Sequence, residues 1–263
     1  MRVTILAKKA HDISDGMKAV FEERGHLVTI RRQRDLTIDR RFLDTDLVVL
    51  KSKRLCFLYA GLYARSRGIR VVPDPEVAYR VRDRILCHDS MRRAGVPVPA
   101  YYLGYPAVLA RTLPPEAYPL VSKGRMEASS TSVLMIDGPE ALLEHSADRP
   151  VYLQRFISGE HFLVNFVESA ARVFRKEMVG TRRIALREIA MTAGVADVLT
   201  RFRLGTGLAV GDLDLVRESE SGTYWSVDPG SFPSFELWPD AAPLLVDAIL
   251  REAARPVCPL LSR

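Results

Sequence analysis

The first 80 residues alternate between short apolar segments and longer segments of helical character. Each short segment has the length and composition of a strand, and the one over residues 46–50 is apolar enough to be buried. Gly25 and Gly68 end the two longer segments, as glycine commonly does at a helix C-terminus. The predicted strands are residues 2–7, 26–31, 46–50 and 69–72, and the predicted helices are residues 14–24 and 55–67. Strand, helix and strand at this spacing predict a small parallel sheet with crossover helices.

The pattern changes after residue 80. One helix is predicted over residues 79–94, ended by Gly95, and the prolines in residues 96–99 indicate an extended exit from it. The remainder of the chain has the pattern of a mixed, largely antiparallel α+β structure. Its predicted strands are residues 119–123, 133–136, 151–157, 161–168, 171–179, 208–216 and 223–228, and its predicted helices are residues 139–145, 192–204 and 240–254.

The overall composition is that of a globular protein. The chain has 263 residues, enough for one large domain or two to three small ones. Apolar residues make up 48% and charged residues 27%, which excludes collagen and argues against disorder and coiled coil. No run of eighteen apolar residues occurs, so no membrane span is expected. Three widely spaced cysteines favour a reducing compartment. Lys8 and Lys9 follow the first strand directly, unlike the long apolar run of a signal peptide, so we expect a cytoplasmic protein.

The charge of the chain is basic, with 38 Lys and Arg against 32 Asp and Glu, a formal net charge of +6. Arginine suits bidentate recognition of carboxylate or phosphate, so a nucleic acid or a small anion such as a nucleotide is a candidate partner. Composition alone favours a third interpretation, a solvated basic surface. Nucleic acid is the least favoured partner, because no basic stripe rich in aromatic residues appears.

Two carboxylates are the first candidate for chemistry. Asp214 and Asp228 lie on two predicted strands joined by a turn, and such strands pair antiparallel. If the turn lies near the midpoint, the two carboxylates face one another, and paired carboxylates beside a phosphate are how proteins hold Mg²⁺. The alternative is a pair of exposed acids flanking a hairpin.

Two further segments carry weaker signals. Lys123 ends an apolar strand just before a loop of small residues, where an ammonium group can reach a phosphate. An apolar strand over residues 151–157 leads to Gly159 and then to the carboxylate of Glu160. Taken singly, the lysine is typical of a solvated strand end, and the second segment fits a plain hairpin with a polar tip.

The order of these motifs along the chain resembles the ATP-grasp superfamily, and the resemblance covers essentially the whole chain. The branch it resembles holds glutathione synthetases, D-alanine ligases, ribosomal-protein glutamate ligases and inositol-phosphate kinases. The residues that match the motifs are Asp83-Arg84 and Gly95-Val96-Pro97-Val98-Pro99 after the linker helix, Pro119 to Lys123, Leu153 to Ile157 with Glu160, and Asp214 with Asp228-Pro229-Gly230-Ser231-Phe232-Pro233. The Phe232-Pro233 pair is most similar to the inositol-phosphate kinases.

The resemblance implies a fold of class α/β and α+β, the ATP-grasp fold with a small N-terminal parallel-sheet domain. It implies three parts: a pre-ATP-grasp domain over residues 1–80, a linker helix and lid subdomain over 81–155, and a C-terminal subdomain with the metal site over 156–263. ATP and Mg²⁺ are the implied cofactors. Dimers are common in this superfamily, so a homodimer is one state that the sequence leaves open.

The resemblance also implies roles for individual residues. Phosphate contacts fall to Arg84 and Lys123, and the lid over the triphosphate includes Ser129 and Ser130. The adenine borders Gln154, Arg155, Phe156 and Ile157, and the ribose lies beside Glu160. Mg²⁺ is held by Asp214 and Asp228. Arg182 and Arg183 face the γ-phosphate and the acceptor carboxylate.

The implied activity is that of a carboxylate–amine ligase, which forms an amide through an acyl phosphate and releases ADP and phosphate. Its partners would be a small anionic carboxylate substrate and an amine acceptor. A small-molecule kinase of the same fold and a nucleotide-binding protein with weakened catalysis are the alternatives. Phe232-Pro233 and the arginine content motivate the kinase. Departures from the family pattern motivate the nucleotide-binding protein, since Gly230 replaces a metal-binding asparagine and Arg155 replaces an acid. Arg84 in place of a lysine is a further departure.

Overall fold

Three β-sheets organise the part of the chain that the computed structural model describes, which is residues 1–8, 12–123, 134–144, 149–179 and 182–255. One sheet is parallel and the other two are antiparallel. Within the described residues, no helix has the length and the apolar character needed to cross a membrane. The sequence-based prediction of a parallel sheet followed by a largely antiparallel part is confirmed.

The first sheet is parallel, with strand order β2-β1-β3-β4. Its strands are β1 (Arg2–Leu6), β2 (Leu27–Arg31), β3 (Leu47–Leu50) and β4 (Arg70–Val72), and its connecting helices are α1 (Asp12–Glu23) and α2 (Leu55–Arg65). All four residues of β3 are buried, because helices cover both faces of the sheet. Gly25 and Gly68 follow the helices with φ of 77° and 80°, a conformation that glycine adopts without steric cost.

The single helix predicted over residues 79–94 is wrong, because the chain forms two helices there. These are α3 (Pro75–Arg82) and α4 (Arg84–Arg93). Asp83 between them is extended, with ψ of 112°, and its carboxylate accepts hydrogen bonds from the backbone N–H groups of Ile85 and Leu86. An aspartate that caps a helix in this way starts a new helix, and it makes Arg84 the first residue of α4.

The second sheet is antiparallel, with strand order β5-β8-β6-β7. Its strands are β5 (Tyr101–Gly104), β6 (Leu120–Lys123), β7 (Leu134–Ile136) and β8 (Val151–Arg155). The helices α5 (Pro106–Thr112) and α6 (Pro139–Glu144) cover one face, where Leu109 and Leu142 pack with Leu120 and Leu153. Neither β5 nor α5 is predicted from the sequence; β5 is only half-buried and shows no apolar alternation.

The third sheet is antiparallel, with strand order β11-β10-β9-β12-β13. Its strands are β9 (Gly159–Val167), β10 (Ala170–Val179), β11 (Arg182–Ile189), β12 (Val210–Glu218) and β13 (Tyr224–Gly230), and the remaining helices are α7 (Ala193–Thr206) and α8 (Ala241–Ala254). One face packs on α7, where Val164, Phe166 and Leu213 share a core with Phe202. The opposite face carries polar side chains. Helix α8 packs with α1 in the core of the first sheet, and Val167 and Val210 of the third sheet belong to the same core.

Candidate functional site

Three carboxylates lie on the polar face of the third sheet. Asp214 on β12 is directly opposite Asp228 on β13, as the hairpin spacing predicts, and Asp212 is directly opposite Gly230. Side chains two residues apart on a strand share a face, so Asp212 and Asp214 point away from the core residue Leu213 that lies between them. The three carboxylates therefore belong to one face and to two neighbouring rungs of the hairpin.

Two of these carboxylates form ion pairs. Arg84 Nη1 lies 2.7 Å from Asp228 Oδ1, and Lys176 Nζ on β10 lies 2.6 Å from Asp214 Oδ1. Burial alone raises the pKa of Asp228, but the charges of Arg84, Lys53 and Lys123, with the hydrogen bond from Arg84, outweigh burial and lower the pKa from 3.8 to about 2. Among the described residues, no group of three or more His, Cys, Asp or Glu side chains is gathered for a metal ion.

Asp212 has the opposite electrostatic behaviour. Burial raises the pKa of its carboxyl from 3.8 to about 6, Asp214 and Asp228 add to the rise, and Lys53 opposes it. In the part of the chain that the structure describes, Asp212 has no ion pair within 4.0 Å. Asp212 is thus the carboxylate of the three that lacks a close cationic partner.

Lys123 joins the second sheet to the third. Its Nζ donates to Gln154 Oε1 at 2.6 Å and to the backbone carbonyl of Val227 at 3.0 Å. Burial lowers the pKa of this lysine from 10.5 to about 8, and the charge of Arg84 adds to the effect. A half-buried ammonium group with two oxygen partners therefore lies between the sheets, and one of those partners belongs to the residue next to Asp228.

The amide of Gln154 is oriented by that lysine. Gln154 is 1% exposed, and because an ammonium group can only donate, the contact with Lys123 assigns the nearer amide atom as oxygen. The amide nitrogen of Gln154 is buried and has no hydrogen-bond partner among the described residues. Two N–H donors are therefore available beside the cation of Lys123.

The first sheet contributes two lysines from the loop after β3. Lys51 Nζ lies 5.3 Å from the ring centroid of Phe232, and burial lowers the pKa of Lys51 to about 8, against attraction from Asp212. Lys53 acts electrostatically on Asp212 and Asp228. Residues from all three sheets thus meet at the three carboxylates.

Four of these charged residues were missed by the sequence analysis, namely Lys51, Lys53, Lys176 and Asp212. A signal for the first two was present, since they come directly after a buried parallel strand, and ligands bind at the carboxyl ends of such strands. The alternation of side chains along a strand places Asp212 and Asp214 on one face, and this could have been predicted from the sequence. Lys176 lies close to Asp214 only because of the order of the strands in the third sheet, which the sequence does not give.

Glu160 is not brought together with the carboxylates. It is directly opposite Arg217, and it forms ion pairs with Arg175 at 2.9 Å and with Arg217 at 3.5 Å. Its neighbour His161 is directly opposite Lys176 and shares the polar face. Adjacent residues of a strand point to opposite faces of the sheet, so His161, and not Glu160, shares the face of the three carboxylates.

Residues 154–157, at the end of β8 and just after it, differ in their position relative to the charged cluster. Arg155 is exposed and forms an ion pair with Glu218 at 3.0 Å, and Ile157 is 3% exposed. The backbone N–H of Arg155 donates to Ala100, and that of Phe156 donates to Pro119. Arg155 and Phe156 line a cavity of 470 Å³ that neither Gln154 nor Lys123 lines. Of the four predicted adenine contacts, Gln154 is the one whose side chain forms a hydrogen bond with a residue of the charged cluster in the described part of the chain.

The remaining predicted residues lie apart from the cluster or outside the described part. Strand β11, with Arg182 and Arg183, is separated from β12 by β10 and β9, which corresponds to roughly 14 Å of strand spacing. Arg183 is exposed and pairs with Met178 in the ladder. Ser129 and Ser130, with the predicted lid around them, lie outside the described residues.

Solved structures similar to this chain share one fold. The RimK-domain ATP-grasp protein from Sphaerobacter thermophilus has a TM-score of 0.78 at 16% identity, over 95% of this chain and 100% of that one. The D-alanine–D-alanine ligase from Bacillus anthracis complexed with ATP has a TM-score of 0.72 at 14% identity, over 96% and 97%. The ATP-grasp ligase PsnB complexed with minimal precursor, Mg and ADP has a TM-score of 0.69 at 15% identity, over 96% and 98%. No family model and no curated protein sequence matches this chain.

Proposed function

The chain has the ATP-grasp fold, and from this premise we propose that it is an ATP-dependent ligase that joins a carboxylate to an amine. In this proposal the γ-phosphate of ATP passes to the substrate carboxylate, an amine attacks the resulting acyl phosphate, and ADP and phosphate leave. The observation that carries the proposal is the cluster of opposite charges where the three sheets meet. The substrates are a small anionic carboxylate and an amine acceptor.

The charge of the cluster suits a polyphosphate with a divalent cation. In the described residues, five cations surround the three carboxylates: Arg84, Lys123, Lys176, Lys51 and Lys53. A net positive site attracts an anionic ligand, and phosphoryl transfer needs mainly such positioning and charge neutralisation from the protein. Lys123 and Arg84 are the proposed phosphate contacts, and Lys176 joins them.

Asp214 and Asp228 fit a Mg²⁺ ion by their chemistry. They present carboxylate oxygens from directly opposite positions of two strands, and Mg²⁺ prefers such oxygens while keeping several waters. A bound Mg²⁺ supplies neutralisation of charge on the phosphate oxygens. Both carboxylates now hold cations, Lys176 and Arg84, which become available to phosphate when the carboxylates turn to a metal. The PsnB complex, of the same fold, contains Mg and ADP.

The base of the nucleotide is proposed to lie beside Gln154. The unpaired amide nitrogen of this residue is a donor for a ring nitrogen of adenine. The other proposed roles rest on the resemblance: Arg182 and Arg183 for the acceptor, Ser129 and Ser130 for the lid, and the three-part division at residues 80 and 155.

ADP release and capture of the acyl phosphate test this proposal together. Purified protein is incubated with Mg·ATP and a panel of amino acids and other small carboxylic acids, with hydroxylamine as the amine. We expect acid-dependent ADP release with a matching amount of hydroxamate, which Asp228→Asn abolishes and the surface control Asp197→Asn leaves intact. A stable phosphorylated product formed without any amine, or no ADP release with any acid, contradicts the ligase proposal.

A further inference from the structure

The carboxylate of Asp212 fills the space that a side chain at position 230 would need. A Cβ atom built on Gly230 would lie 1.9 Å from Asp212 Oδ1 and 2.8 Å from Asp212 Cγ. Heavy atoms that are not bonded do not approach so closely, so residue 230 remains without a side chain while Asp212 keeps this position. The backbone of Gly230 does not require glycine, since its φ lies outside the left-handed region.

The space beside Gly230 is where the related motif has an oxygen ligand, and here a different residue supplies the oxygens. In the ATP-grasp pattern that the sequence resembles, an asparagine at position 230 would offer its amide oxygen two residues after Asp228. Here the side chain at 230 is absent, and the oxygens present in that space belong to the opposite strand. We propose that Asp212 is the third protein ligand of the nucleotide-bound Mg²⁺, in place of a side chain at position 230. The inference rests on the proposed function of the site.

The three carboxylates are not gathered around one point among the described residues, but their positions on the sheet allow them to turn toward one ion. Asp214 and Asp228 form one directly opposite pair, and Asp212 lies on the next rung of the same face. Neighbouring strands are roughly 5 Å apart, and residues i and i+2 about 7 Å, so aspartate side chains on these positions can converge. Coordination requires Asp214 and Asp228 to turn from Lys176 and Arg84, whereas Asp212 has no close cation to leave among the described residues.

The charge balance favours an aspartate here. An asparagine ligand is neutral, whereas Asp212 adds a full negative charge beside the metal. Lys51 and Lys53 approach Asp212 from the loop after β3, so the added charge has nearby compensation that comes from a different sheet. The negative charge of Asp212 on β12, in place of a neutral ligand on β13, is thus compensated by Lys51 and Lys53 from the first sheet.

Manganese binding tests the inference without any need for turnover. The probe is Mn²⁺, titrated into protein saturated with the non-hydrolysable analogue AMP-PNP, with free Mn²⁺ measured by electron paramagnetic resonance. Asp212→Ala should weaken Mn²⁺ binding by about tenfold or more, at least the effect of losing an outer-shell partner of a metal. Asp212→Ala combined with Gly230→Asn should recover most of the loss, because the alanine clears space for the asparagine. Asp197→Asn, an exposed aspartate on α7, is the matched control and should leave the binding unchanged.

The outcomes separate this inference from the proposed function. If wild-type protein binds Mn²⁺ with AMP-PNP and Asp212→Ala binds it equally well, the inference is wrong while the nucleotide site stands. If wild-type protein binds no Mn²⁺ with AMP-PNP, the proposed function fails and the inference fails with it. A double variant with the circular dichroism spectrum of wild type that does not regain Mn²⁺ also overturns the inference. Asp212→Asn, which keeps the shape of the side chain, replaces Asp212→Ala if the latter is insoluble, and a partial loss is then expected.

Discussion

Nucleotide binding should be coupled to the uptake of a proton by Lys123. Burial, with help from Arg84, lowers the pKa of this lysine from 10.5 to about 8, so part of the population is neutral in mildly alkaline solution. The partners of its Nζ are the neutral oxygens of Gln154 and Val227. A phosphate group placed against Nζ adds a full negative charge, which favours the protonated form and raises the pKa again.

The lowered pKa sets the size of the effect. Keeping Lys123 charged costs the free protein about 3 kcal/mol, at 1.36 kcal/mol per pKa unit. Roughly half of the Lys123 side chains are neutral at pH 8, so binding should take up about 0.5 proton there, about 0.1 at pH 7 and about 0.9 at pH 9. The pKa of Lys123 is lower in the folded protein than in the unfolded chain, so below pH 8 the free energy of unfolding is reduced by the whole of this cost. Between pH 8 and 10.5 the folded protein loses the proton and the free energy of unfolding rises again.

Isothermal titration calorimetry measures this uptake directly. Mg·ADP, whose phosphates are fully ionised at pH 8, is titrated into the protein in two buffers with different enthalpies of ionisation, and the difference in binding heat gives the number of protons. Lys51 also has a pKa lowered to about 8, so Lys51→Met is the matched variant. We expect Lys123→Met to lose both the uptake and most of the affinity. Measurable binding with no proton uptake in the wild type, or an unchanged uptake in Lys123→Met, refutes the reasoning.

Three further predictions concern stability and charge. Burial raises the pKa of Asp212 from 3.8 to about 6, so the ionised carboxylate lowers the free energy of unfolding fully above pH 6 and not at all below pH 3.8. Asp212→Asn should therefore add about 3 kcal/mol to the free energy of unfolding in EDTA at pH 7.5. A urea titration that shows no gain contradicts this. Gly159→Ala places a Cβ 1.9 Å from the backbone carbonyl oxygen of Arg217 and should cost about 1–3 kcal/mol in the same measurement, and an unchanged midpoint would show that the backbone gives way. Arg84→Met removes the partner of Asp228 at 2.7 Å and a proposed phosphate contact, so the affinity for Mg·ADP should fall about tenfold or more. Arg84→Lys should retain part of the affinity, and an affinity of Arg84→Met equal to that of wild type counts against the phosphate role.

Three features of the structure have no local signal in the sequence: the helix boundary at Asp83, the face taken by His161, and strand β11. The capping geometry at Asp83 divides a stretch that has one continuous helical pattern, because an aspartate can be a helix residue or a cap and its local sequence allows both. Glu160 and His161 are adjacent, and only the register of β9 with β10 and β12 decides which of them faces the carboxylates. Strand β11 is a charged edge strand whose exposed side chains give no apolar alternation to detect.

The sequence by itself determined the order of strands and helices in the parallel part, the pairing of Asp214 with Asp228, and the position of Lys123 at a strand end. These features depend on short-range periodicity, on turn length and on glycine at positive φ, which are all local properties of the chain. The tertiary structure alone decided that Lys51, Lys53 and Lys176 meet those carboxylates, that α8 packs with the first sheet, and that Asp212 fills the space beside Gly230. Each of these depends on strand order and on the packing of separate sheets, which bring together residues far apart in the chain and leave no local pattern to read.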